Sequence, residues 1–218
     1  MPLYDTLLFD LDGTLTDPRP GITRSVQYAL AHLGIAAPDL DALTPFIGPP
    51  LVESFQRYYA LDDASAQRAL LWYREYFAAT GLYENAVYPG IPELLTALRG
   101  RGRRLLVATS KPTVYAERIL AHFQLDHHFE RIVGSNLDGT RTAKSAVIAY
   151  ALATLHPQPV ATTTVMIGDR EHDILGAQLN RLASIAVAYG YGSPAELRAA
   201  APTHHIATVV ELAALLLD

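Results

Sequence analysis

The apolar run Tyr4 to Phe9 ends in Asp10-Leu11-Asp12-Gly13-Thr14-Leu15-Thr16-Asp17, and this junction constrains the fold more than any other segment. A short unbroken apolar run is the pattern of a strand buried on both faces, as in a parallel sheet covered by helices. Two carboxylates emerge where that strand ends, the edge at which open α/β sheets place their ligands, and Gly13 turns the backbone sharply. Asp, Gly and Thr are also ordinary turn formers, so an Asp-Gly pair after a strand marks by itself only a loop. The full pattern, an apolar run followed by Asp, any residue and Asp-Gly-Thr, asks for more, because it sets two acids at the end of a buried element.

The rest of the chain is unevenly patterned. From Pro18 to Pro89 the apolar spacing is helical: Ile22, Val26, Leu30 and Leu33 before Gly34, then Leu51 to Tyr59, then a third helix capped within Asp62-Asp63-Ala64-Ser65 and running through Leu70, Leu71, Tyr73 and Phe77 to Gly81. Trp72, Tyr73, Tyr76, Phe77 and Tyr83 are expected to pack between these helices, and the proline-rich stretch Thr44 to Pro50 to be a loop. From Val87 the β-rich runs Arg104 to Thr109, Ile132 to Gly134, Thr163 to Ile167 and Ser184 to Val187 alternate with the helical stretches Ile91 to Arg99, Val114 to Phe123, Lys144 to Leu155 and Ile174 to Leu179. Such alternation predicts an α/β core with a parallel sheet, residues 1–17 and 88–218, interrupted by an all-helical cap domain, residues 18–87.

Composition narrows the function classes. Half of the 218 residues are apolar, enough for a sizeable core. The net charge is -5 and no Lys/Arg block occurs, so neither nucleic acid nor an anionic membrane is an expected partner. The absence of cysteine removes disulfides and thiolate catalysis. Met1-Pro2-Leu3-Tyr4-Asp5 lacks the look of a signal peptide and no apolar stretch suits a bilayer span, which leads us to expect a cytoplasmic protein acting on a small molecule.

Three further strings carry chemistry. Val165-Met166-Ile167-Gly168-Asp169-Arg170-Glu171-His172-Asp173 repeats the motif of an apolar strand ending in acids, with Asp169 placed on its strand as Asp10 is on the first. Leu105-Leu106-Val107-Ala108-Thr109-Ser110-Lys111-Pro112 ends a strand in hydroxyls that, with a helix N-terminus, suit phosphate oxygens. Lys144 stands near the start of a helix, a poor place for a free cation, which points to an acidic neighbour. Arg141 and Lys111 are rival cations read as surface charges. The pairs His127-His128 and His204-His205 are read as surface residues, and Gly190-Tyr191-Gly192-Ser193-Pro194 as a structural turn.

In their order from Asp10 to Asp173, these motifs resemble the haloacid dehalogenase-like hydrolases. The resemblance implies a Rossmann-like doubly wound core in which the strands bearing Asp10 and Asp169 are neighbours. It implies Asp10 as nucleophile toward phosphorus and Asp12 as general acid and base. Thr109, with Ser110 as a weaker candidate, and Lys144 would bind the substrate phosphate, and Thr109 and Lys144 would serve catalysis. Mg2+ would be held by Asp10, Asp12 and Asp169 with Asp173 supporting the site, because a nucleophilic carboxylate and a phosphate repel unless a divalent cation screens them. The helical insertion and Gly48-Pro49-Pro50-Leu51 look most like the phosphoglycolate phosphatase branch, with Ile47 and Gly48 as specificity candidates. The expected activity is thus a phosphomonoesterase on a small phosphorylated metabolite, phosphoglycolate phosphatase-like. A nucleoside 5'-monophosphatase, a sugar-phosphate mutase of the β-phosphoglucomutase type, and a silent binding or regulatory protein are the alternatives. A dehalogenase has no use for the second Asp, and a phosphonatase needs a cap lysine that Pro18 to Pro89 lacks.

Overall fold

Strand β1 (Thr6–Phe9) is buried along its whole length and forms the axis of a six-stranded parallel sheet. The structure, a computed structural model, describes residues 4–36 and 39–217; Met1, Pro2 and Leu3 of the N-terminal run lie outside the described residues. The chain divides into two units, Met1–Asp17 with Val87–Asp218, and Pro18–Ala86. The chain leaves the first through the short strand β2 (Thr16–Asp17) and re-enters it through β3 (Ala86–Val87).

The helical unit contains α1 (Arg19–His32), a 3-10 segment (Leu40–Phe46), α2 (Leu51–Tyr59), α3 (Asp63–Tyr76) and a π-helical turn (Phe77–Gly81). Its ends follow local chemistry. Proline in the first turn starts α1 and Gly34, at φ 70°, follows its end; the Asp62 carboxylate caps α3 by accepting the Ser65 N–H at 2.8 Å, a contact worth about 1 kcal/mol. Gly21 on α1 is fixed by contact, since a Cβ there would lie 2.0 Å from the carbonyl oxygen of Gly81. The expected loop at Thr44 to Pro50 is helical in its first part. Leu43 and Phe46 are buried, three residues apart and thus on one face of the 3-10 turn, and Phe46 packs edge-on against Phe55 at 5.0 Å. That packing outweighs the effect of Pro45.

The α/β unit continues with α4 (Ile91–Gly100), β4 (Arg104–Pro112), α5 (Thr113–His122), β5 (Arg131–Ser135), α6 (Lys144–Ala153), β6 (Thr164–Gly168), α7 (Glu171–Leu179), β7 (Ala183–Val187), α8 (Pro194–Ala199), β8 (His204–Ile206) and α9 (Val209–Leu217). The sheet order is β5-β4-β1-β6-β7-β8, the doubly wound Rossmann-like arrangement. Phe9 is in register with Val107 on one side and Ile167 on the other. One face of the sheet, carrying Leu8, Leu106, Ala108, Val133 and Met166, packs on Val147, Ile148 and Ala151 of α6 and Ala177 of α7. The alternate residues Leu7, Phe9, Leu105, Val107, Val165 and Ile167 are buried as well, which is why these strands read as unbroken apolar runs. The order reverses between β1 and β6, so the crevice for a ligand is fixed there, at their carboxyl ends.

Candidate active site

Asp10 leaves β1 on the shortest path to β6, with its N–H donating to the Ile167 carbonyl at 2.9 Å. Its Oδ1 accepts the Leu11 N–H at 2.8 Å and lies 3.0 Å from Lys144 Nζ. The same ammonium is 2.7 Å from Asp173 Oδ1 and donates to the Ala108 carbonyl at 3.2 Å, so one lysine ties the end of β1 and the middle of β4 to the start of α7. Asp10, Asp169 and Asp173 are buried and each offers an oxygen within 4.8 Å of the others. Asp173 sits in the first turn of α7, where it also accepts the Arg170 N–H at 3.1 Å. The acidic neighbour that a lysine at the start of α6 needs is therefore a pair of carboxylates.

Burial and like charge dominate the electrostatics. Burial pushes the Asp169 carboxyl well above the usual carboxylate range, and Asp173 and Asp10 push it further against the opposing Tyr191 N–H. Asp173 is pushed up to about 6, its burial outweighing the attraction of Lys144. For Lys144, burial works against the charge, but Asp10 and Asp173 prevail and hold the ammonium protonated above its ordinary value. Two of the three buried carboxylates, Asp10 and Asp173, thus share one ammonium, while Asp169 Oδ2 is held by the Tyr191 N–H.

A family model for haloacid dehalogenase-like hydrolases matches residues 7–187, the span that runs from β1 through both acidic loops to the end of β7. The chain belongs to that family. A 5'-nucleotidase from Pseudomonas aeruginosa is 57% identical over 96% of this chain and 94% of its own length. Tyrosine-protein kinase PtkA from Mycobacterium tuberculosis is 43% identical over 94% of this chain and 70% of its own. Among solved structures, a "predicted phosphatase" from Clostridium acetobutylicum is 48% identical and superposes with a TM-score of 0.93, with 97% of each chain covered.

In this hydrolase the acidic cluster is suited to a divalent cation. Its donors are all carboxylate oxygens, the ligands of hard cations, and Asp169 Oδ1 is buried without a hydrogen-bond partner among the described residues, an arrangement that a bound cation would relieve. The carboxylates that lie together are not all those expected from the motifs to hold the metal. Asp173 stands inside the cluster, whereas Asp12 does not, because its Oδ2 is engaged at 2.7 Å by Lys111 Nζ. Lys111 is correspondingly buried, not the surface charge that its position after a strand suggested. Burial raises the Asp12 carboxyl above its ordinary value even though Lys111 draws it down.

The remaining candidates sort by position. Thr109 is buried in the second half of β4, and its Oγ1 accepts the Lys111 N–H at 3.3 Å. β4 continues past its expected end at Thr109 to Pro112, and α5 begins at Thr113, one residue before the expected Val114. Ser110 is half-buried and its carbonyl accepts the Ser135 hydroxyl at 2.8 Å. Arg141 bonds the Gly134 carbonyl and Asn136 and stacks over Tyr150, and no ion pair joins it to the acidic cluster among the described residues. His128 is buried, not at the surface. In the helical unit Ile47 is buried and Gly48 half-exposed at φ 104°.

The segment Gly190 to Pro194, expected as a structural turn, also reaches Asp169. Tyr191 donates its N–H to Asp169 Oδ2 at 2.7 Å and its hydroxyl to Asp17, while the Tyr189 hydroxyl donates to the Thr14 carbonyl at 3.0 Å. A Cβ on Gly190 would fall 2.4 Å from both Asp169 Cβ and the Gly13 carbonyl oxygen, so the two acidic loops close on a residue without a side chain. Tyr88 packs against Tyr189 with ring centroids 5.0 Å apart. The signal for this role was present as Gly-Tyr-Gly after a strand, but that string fits any tight turn.

Proposed function

We propose that this phosphoric monoester hydrolase releases phosphate from a nucleoside 5'-monophosphate through a phosphorylated Asp10. The observation that carries the reading is the anchoring of Asp10 at the end of β1, with Oδ1 held by the Leu11 N–H and Lys144, which leaves Oδ2 as the attacking oxygen. Asp10 Oδ2 attacks phosphorus in line, and the bond to the ribose 5'-oxygen breaks as Asp12 supplies its proton. A water molecule then attacks the phosphorus of the aspartyl-phosphate, Asp12 takes the water's proton, and inorganic phosphate leaves with Asp10 restored. Lys144 and the Thr109 hydroxyl, with Ser110, bind the phosphate oxygens and offset charge that grows in the transition state. Asp10, Asp169 and Asp173 would hold Mg2+, which when bound screens the repulsion between the nucleophile and the phosphate.

The substrate reading is supported by the extent of likeness to the relative named 5'-nucleotidase, which spans nearly the whole chain, helical unit included. We assign substrate choice to that helical unit, acting as a cap, with Gly48 as the position to test and buried Ile47 as its support. The experiment is phosphate release with and without Mg2+ from nucleoside 5'-monophosphates, phosphoglycolate and a sugar 1-phosphate. We expect Mg2+-dependent release, with kcat/KM at least ~10-fold higher for the nucleotides. A preference for phosphoglycolate would remove the substrate assignment, and isomerisation of the sugar phosphate without phosphate release would make the protein a mutase.

A further inference from the structure

We propose that Lys111 is a positioning residue for Asp12, fixing one oxygen of its carboxyl so that the other is presented to the leaving oxygen of the substrate. The inference rests on the reading of Asp12 as general acid and adds a residue that the recognised motifs leave out. Lys111 Nζ lies 2.7 Å from Asp12 Oδ2, and both side chains are nearly closed to solvent, at 5% and 12% exposure. Asp12 Oδ1 is buried and has no hydrogen-bond partner among the described residues. A carboxyl with one oxygen pinned and the other unpartnered has a defined proton-transfer atom.

The backbone around the pair is built to hold this geometry. Asp12 is on a tight turn, where the Gly13 N–H donates to the Thr16 carbonyl at 2.8 Å, so only the side-chain torsions of Asp12 are left to fix. On the lysine side, β4 is irregular where Lys111 sits. Ala108 pairs with Val133, but the next register pair is Pro112 with Ser135, so β4 accommodates two additional residues across this stretch. Irregularities of this kind re-aim side chains next to active sites. The carboxylate cluster has a cation of its own, since Lys144 bridges Asp10 and Asp173. Proton transfer requires the donor oxygen about 2.6–3.2 Å from its acceptor, so a carboxyl free to change rotamer spends part of its time out of reach.

The test uses leaving-group dependence in Lys111→Met, Lys111→Arg, Asp12→Asn and the double variant Lys111→Met/Asp12→Asn, assayed with Mg2+ on a nucleoside 5'-monophosphate and on p-nitrophenyl phosphate. The parameter is kcat/KM, which reports transfer to Asp10 and excludes the later hydrolysis step. An alkyl alcohol needs the proton to leave and p-nitrophenolate does not, so Lys111→Met is expected to lose about 10-fold or more on the nucleotide beyond its loss on the aryl ester. Lys111→Arg should recover part of the loss, and the double variant should show no leaving-group effect beyond that of Asp12→Asn. Equal loss on both esters, or no loss, would overturn the proposal. If Asp12→Asn itself loses equally on both esters, the general-acid reading fails and this inference with it. A selective loss in Asp12→Asn but not in Lys111→Met defeats the inference alone.

Discussion

Replacing Lys144 by methionine keeps the aliphatic stem and deletes the ammonium that Asp10 and Asp173 share at 3.0 and 2.7 Å. All three groups are buried, so the carboxylates are left without countercharge in a medium that cannot solvate them. Removing one partner of a buried pair costs about 3–5 kcal/mol. With a urea dependence of ~2–3 kcal/mol per M for a chain of this size, the unfolding midpoint should drop by ~1–2.5 M. The measurement is urea unfolding by far-UV circular dichroism in EDTA, so that no bound cation compensates. The deficit should depend on pH. Asp173 already titrates near 6, above the unfolded value of about 3.9, and without Lys144 it must titrate higher. A folded-state pKa above the unfolded one means that the folded protein holds the extra proton, so stability falls as pH rises through that window. The gap between wild type and variant is therefore expected to be smaller at pH 5 than at pH 8, and Lys144→Met/Asp173→Asn should recover part of it. A midpoint drop below ~0.4 M at pH 8, or a double variant no more stable than the single one, would refute the account of Lys144 as the shared countercharge.

Asp10→Asn should fold and bind substrate yet lose turnover by ~10^4-fold or more, since the amide keeps the shape without the nucleophile; phosphate release measures it. Asp169→Asn should weaken Mg2+ binding at least ~10-fold by titration calorimetry, and binding equal to wild type would remove Asp169 from the ligand set. Gly190→Ala forces a Cβ to 2.4 Å from Asp169 and the Gly13 carbonyl, and should cost ~1–3 kcal/mol in urea unfolding while also weakening Mg2+ binding. Burial lowers the pKa of His128, with His127 and Arg99 adding to the effect, so the unfolded chain takes up that proton first. Stability should fall as pH drops below ~6.5, and His128→Phe should make that fall measurably shallower in unfolding curves between pH 7 and 5.

The sequence by itself determined the fold class and the order of the chemistry. Continuous apolar runs ending in Asp10 and Asp169 are legible because a strand buried on both faces must be apolar at every position and its ligand-bearing end must be polar. The interruption of a β/α alternation by helical spacing was equally local information, and helix starts such as Asp62 announced themselves through capping. What only tertiary structure decided were the relations between residues far apart in the chain. The partner of Lys111 is Asp12, on a different strand's loop, and nothing in the string Ser-Lys-Pro distinguishes a buried lysine from an exposed one. Asp173 lies in the acidic cluster beside Lys144 while Asp12 pairs with Lys111, and which buried cation each acid meets is settled by distances of a few ångströms. Gly190 and Tyr191 acquire their role from the approach of a third loop to Asp169, and the 3-10 turn before Gly48 from the burial of Leu43 and Phe46. Side-chain pattern is periodic and local, so a sequence reveals it; the pairing of buried charges depends on which strand ends become neighbours, and the sheet order sets that.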